Sequence, residues 1–147
     1  MTTYTYKIDN TDKTRVSVEI FEGPAKVACA LVLTPQMVPN FEAYSVHASA
    51  RGDGLSYALT QLMLLYVKSL AKNIAVVDNA HGVLIDALAK VGFKVESRRY
   101  DPMSKQNAAS LRTLDINSVL SQCKSKMVEK GLVAKGFRNI GTFQLPL

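Results

Sequence analysis

The chain has 147 residues, nearly half of them apolar and a fifth charged, with a formal net charge of +6. That length and balance describe one folded domain spanning 1–147 and exclude a disordered or fibrous chain. No apolar run reaches the ~18 residues of a membrane-spanning helix, and the positive charge suits an anionic ligand or a polyanion without specifying either.

Tyr4, Tyr6 and Ile8 alternate with Thr5, Lys7 and Asp9, the period of a half-buried strand. A second alternating strand carries Val16, Val18 and Ile20, and Gly23-Pro24 turns the chain into a third, 26–33, that is apolar on both faces. A fourth begins at Phe41 and runs to Val46. The first 46 residues therefore predict an antiparallel meander. The spacing of Leu55, Leu59, Leu62, Tyr66 and Leu70, widened by Ala58, Met63, Leu65 and Val67, predicts a largely buried helix over 56–72. Residues 74–77 read as a short central strand and 78–81 as a turn. A second helix follows, with Ala80, Val83, Leu84, Ala87, Leu88 and Val91 on its apolar face and Gly92 as its C-terminal cap. Phe93 and Val95 open another strand, and 98–113 reads as a polar loop. Asp115 can cap a third helix with Ile116, Val119, Leu120, Cys123 and Met127 on one face. Residues 137–145 read as a closing strand. Strand-helix-strand crossovers of this length require at least one parallel pair, hence an α+β fold (α/β, three-layer) with a mixed sheet and helices packed on it.

Cys29 and Cys123 sit in apolar patterns with neither disulfide-scaffold nor metal-ligand spacing, so both read as reduced core thiols and no metal site is expected. With no secretory pattern in MTTYTYKIDN, the expected compartment is cytoplasmic. Basic residues concentrate toward the C-terminus, where a solvated helix face is the plain reading. No aromatics interleave with them on a strand, so nucleic acid is not an expected partner.

The stretch with chemical content is Ser49-Ala50-Arg51-Gly52-Asp53-Gly54, between the fourth strand and the first helix. A glycine turn here leaves the first amides of the helix facing outward, which suits phosphate. Position 57 is tyrosine, so the three-glycine dinucleotide fingerprint is incomplete, and no Gly-Lys-Ser/Thr follows, which excludes a P-loop. The segment resembles the loop of the GNAT superfamily of N-acetyltransferases. That loop reads Gln or Arg, two variable positions, Gly, a variable position, then Gly or Ala. Gly52 and Gly54 match the glycines, Ser49 stands where Gln or Arg is usual, and Arg51 precedes the first glycine. The resemblance extends over roughly residues 14–100, through the helix and strand order and the Gly92-Phe93 ending of the second helix. Anchored on that ending, His81 replaces the family's Asn and Leu88 its Tyr, and the two helices usual near the family's N-terminus are missing.

The resemblance implies transfer of an acetyl or other acyl group from acetyl-coenzyme A to an amine carried by a small molecule or a protein. It assigns Val46, Arg51, Gly52, Asp53, Gly54, Leu55 and Ser56 to the cofactor, with Asp53 an awkward neighbour for phosphate. Glu42, His47 and His81 are the candidate catalytic groups, and Leu88 cannot protonate a thiolate. The competing reading is a GNAT-like fold without turnover that binds a macromolecule or serves a structural role. The segment 114–147 is expected to cover a sheet edge, within the chain or across a homodimer.

Overall fold

In the computed structural model, residues 4–34 and 38–132 and the backbone of 138–139 are described. Strands β1 (Tyr4–Asp9), β2 (Arg15–Glu22), β3 (Ala25–Leu33) and β4 (Asn40–Val46) form an antiparallel meander. Alternation sets its faces. Tyr4, Tyr6, Ile8, Val16, Val18 and Ile20 are buried on one side, while Thr5, Ser17, Glu19, Cys29 and Leu31 are half-exposed on the other.

Helix α1 (Leu55–Ser69) lies on the buried face and leads into β5 (Val76–His81), α2 (Val83–Lys90), β6 (Lys94–Asp101) and β7 (Gln106–Arg112). The final elements are α3 (Ile116–Glu129) and the short β8 (Arg138–Asn139). The strands make one mixed sheet in the order β6-β7-β5-β4-β3-β2-β1-β8. The β4–α1–β5 and β5–α2–β6 crossovers advance in the same direction, so right-handed connections place α1 and α2 on one face, where they touch.

Helix α1 is buried on nearly every side because α3 packs on the flank that the sheet does not cover. Ile116, Val119, Cys123 and Met127 supply that contact face. Asp115 starts α3 by accepting a hydrogen bond from the Asn117 amide at 3.1 Å. The extension thus works within the chain: α3 covers α1, and β8 pairs in parallel with β1 at the sheet edge. No helix among the described residues is long and apolar enough to cross a membrane.

Three segments differ from the sequence reading. Residues 98–113 hold the hairpin of β6 and β7 rather than a loop. Strand β6 is an exposed edge whose charges mask the strand pattern, while β7 is central and is buried through small residues such as Ala108 and Ala109. Residues 78–81 continue β5 instead of turning: past an irregular register at Asp78 and Asn79, Ala80 and His81 pair with Ala109 and Ala108 of β7. On α2 the buried residues are Ile85 and Leu88, whereas Val83 is 87% exposed. In the predicted closing strand, 138–139 are in β8, while 137 and 140–145 lie outside the described residues.

Candidate active site

Strands β4 and β5 run parallel but pair at one position, Asn40 with Val76. The Val76 amide donates to Pro39 O at 3.0 Å, and the Asp78 amide donates to Asn40 Oδ1 at 3.2 Å. Beyond that point the strands diverge and open a cleft of about 760 Å³ in the sheet. Residues Phe41 to Val46 of β4 line one wall, and Val77, Asn79 and His81 line the other.

Strand β4 carries a bulge in this wall. Its register against β3 shifts between Cys29 and Leu31, and Ala43 adopts φ 56, in the left-handed region that non-glycine residues seldom enter. A bulge re-aims backbone groups, and here it does so where β4 has no partner strand on its β5 side. The bulge also interrupts the alternation of side chains along β4 at Ala43.

Past β4 a 3-10 turn, Ala48–Ala50, leads into Arg51-Gly52-Asp53-Gly54 and then α1. Gly52 and Gly54 both have φ 87, a conformation that favours glycine. A Cβ on Gly54 would also lie 3.0 Å from Lys130 Cβ and Cγ. Gly54 caps α1 without a side-chain hydrogen bond. The Leu55 and Ser56 amides make no backbone hydrogen bond among the described residues. These amides, the positive end of the α1 dipole and Arg51 can together accept a phosphate group. The Arg51 side chain is anchored by Nε donating to Val46 O at 3.2 Å.

Of the residues expected at a cofactor, Val46, Arg51, Gly52, Gly54, Leu55 and Ser56 line the cleft. Asp53 does not: its carboxylate accepts a hydrogen bond from the Tyr4 hydroxyl at 2.9 Å, which directs the charge toward β1 and away from an anion in the cleft. Burial, and then this hydrogen bond, push the Tyr4 hydroxyl up to about 12.

The three candidate catalytic residues are not brought together. Glu42 lines the cleft and accepts from Asn40 Nδ2 at 2.9 Å. His47 stands outside it, exposed at the start of the 3-10 turn, with Nδ1 2.8 Å from Ser49 Oγ. His81 lines the wall opposite Glu42, and its Nε2 is 2.9 Å from Asp101 Oδ2.

Several wall residues carried no functional signal in the sequence. Lys130, which reads as part of a solvated helix face, reaches the cleft mouth beside Gly54. Leu84 and Ala87 look like core positions of α2 and instead form an apolar side of the cleft. Tyr44 and Tyr57 also line it; the Tyr44 hydroxyl lies 2.8 Å from Thr60 Oγ1, and burial raises its pKa. Leu88 is 1% exposed in the core, so that position places no proton donor in the cleft.

A meander, a parallel strand splayed from it and a glycine turn into a helix together make a GNAT-like α+β fold. The comparisons with solved structures agree. A GNAT family acetyltransferase from Elizabethkingia anophelis, solved with acetyl-CoA bound, superposes with a TM-score of 0.59 at 10% identity over 69% of this chain and 76% of that one. An N-acetyltransferase from Staphylococcus aureus gives 0.60 at 18% identity over 73% and 71%. An IAA acetyltransferase from Bacillus cereus gives 0.58 at 15% identity over 69% and 78%. No protein-family model and no curated protein sequence matches the chain. At these identities the likeness establishes the fold.

Proposed function

We propose that this protein transfers an acyl group from acetyl-coenzyme A to an amine. The observation that carries the reading is the parting of β4 from β5 directly beside the N-terminus of α1, where no side chain caps the first amides. The cleft offers amides and Arg51 for a pyrophosphate at its mouth. Apolar side chains, Val46, Leu84 and Ala87, suit a pantetheine arm further in. Bound acetyl-coenzyme A supplies an acyl group activated as a thioester.

The chain's own groups then have three tasks. The α1 amides and Arg51 hold the anionic end, which fixes the position of the reacting end. The re-aimed backbone of β4 near Ala43 can donate to the thioester oxygen as it gains charge. Glu42 or His81, on facing walls, can take the proton that the amine must lose. Arg51, Gly52, Gly54, Leu55 and Ser56 are therefore assigned to the cofactor, and Asp53 is assigned to holding the turn through Tyr4.

The buried Leu88 favours one other reading, a fold kept for binding without turnover. Thiol release from acetyl-coenzyme A separates the two. Added primary amine (ethylamine, spermidine or an alanyl peptide) is expected to raise release above the amine-free rate and to yield the N-acetyl product by mass spectrometry. Release that no amine stimulates would favour the binding protein.

A further inference from the structure

His81 and Asp101 come from strands that are not neighbours. Strand β7 runs between β5 and β6, and its Ala108 pairs with His81 on one side and Arg99 on the other. Paired positions share a face. Ala80 and Ala109, one step along each strand, belong to the core under the helices, so His81, Ala108, Arg99 and Asp101 lie on the opposite face, which is helix-free among the described residues. Ala108 is small and fully covered, which lets side chains from the two outer strands meet across it.

Two polar links cross at this point. Arg99 Nη2 donates to Asn79 Oδ1 at 2.6 Å and to Asp78 O at 3.2 Å. His81 Nε2 lies 2.9 Å from Asp101 Oδ2. Asp101 is itself fixed by the hairpin turn, because Ser104 Oγ donates to Oδ2 at 2.9 Å and the Met103 amide donates to Oδ1 at 3.0 Å. An ionised carboxylate only accepts, so the His81 Nε2 must carry the hydrogen. In the neutral imidazole Nδ1 then keeps its lone pair, and no described residue bonds to it.

We infer that Asp101 is a positioning residue that holds His81 in its Nε2–H tautomer, so that Nδ1 serves as the proton acceptor for an amine entering the cleft from the helix-free face. The inference rests on the acyl-transfer reading above and identifies which of its two candidate bases acts. As the amine nitrogen forms its bond to the thioester carbon, its proton passes to Nδ1. The carbon–sulfur bond breaks, sulfur keeps the electron pair, and the thiolate takes a proton from Nδ1 or from water. A carboxylate that orients an imidazole without touching substrate is a recurrent device in hydrolases, and here the β6–β7 turn supplies it.

The chain contains two histidines, so the tautomer is directly observable. Long-range proton–nitrogen correlation spectra of 15N-labelled protein at pH 8, with H47Q used for assignment, are expected to show His81 as a single Nε2–H tautomer. In D101N the amide can turn its NH2 toward Nε2 and favour the opposite tautomer. Turnover of acetyl-coenzyme A with ethylamine and with spermidine supplies the second readout. H81Q is expected to lose roughly a hundredfold or more in kcat. D101N is expected to lose at least about tenfold in kcat, with KM for acetyl-coenzyme A within about twofold, and D101E to recover part of the loss.

A D101N enzyme with kcat within about twofold of wild type would overturn the inference, as would an Nδ1–H tautomer in the wild type. Either result, obtained on an enzyme that turns over, leaves acyl transfer standing, and the H81Q rate then decides between His81 and Glu42 as its base. Failure of the wild type to turn over both amines would remove the transfer reading and the proton-acceptor role together.

Discussion

At the scale of single residues, hydrogen bonds to charged side chains govern much of what the cleft presents. Asp101 is the clearest case. Donation from His81, then from Ser104 and the Met103 amide, holds its carboxyl at about 2, below the ordinary 3.8. The folded protein therefore binds this proton less readily than the unfolded chain does. The resulting stabilisation is present above the unfolded value and is lost as pH falls through about 2. Urea midpoints of wild type and D101N should differ at pH 7, converge between about pH 4 and pH 2, and coincide below that range. A difference unchanged down to pH 2 would mean that the carboxylate contacts add nothing to folding. Asp53 illustrates the same control: residue type alone made it an unwelcome neighbour for phosphate, and its partner Tyr4, distant in sequence, redirects it.

At the scale of elements, α1 shows what it takes to bury a helix all round. The sheet covers one flank and α3 the other, with Cys123 in the seam. Burial pushes the Cys123 thiol up to about 12, whereas Cys29 lies half-exposed on β3. Since the thiolate is the reactive form, iodoacetamide at pH 8 should alkylate Cys29 in the native protein and reach Cys123 only on unfolding, as peptide mapping would show. Equal labelling of both thiols would contradict the packing of α3 on α1. The meander, α1 and the Asp115 cap were legible in the sequence because alternation, helical spacing and a capping residue are local signals. The β6–β7 hairpin was not, because an exposed edge strand such as β6 can be charged throughout and a crowded central strand such as β7 can be built on alanines. For the same reason Leu84 and Ala87 read as core: an apolar cleft wall and an apolar core face have the same period. The Arg51–Gly54 turn was legible by its glycines, whereas Lys130 reaches the cleft through the packing of α3 on α1, and Asp101 reaches His81 through strand pairings that only the assembled sheet creates.

At the scale of the whole molecule, the described helices gather on one side of the sheet, and no described helix covers the other side beside the cleft. A ligand anchored at the α1 N-terminus and an amine arriving at the Asn79–His81 wall would thus meet in the gap between β4 and β5 from different directions. This arrangement can transfer a group only if the anionic end of acetyl-coenzyme A is held at the glycine turn. Calorimetric titration with acetyl-coenzyme A and with free coenzyme A, on wild type and on R51E confirmed as folded by circular dichroism, tests that directly. The account predicts saturable binding of both ligands in the micromolar range and a loss of about tenfold or more in affinity in R51E. No heat of binding at millimolar ligand, or equal affinity in R51E, would contradict it.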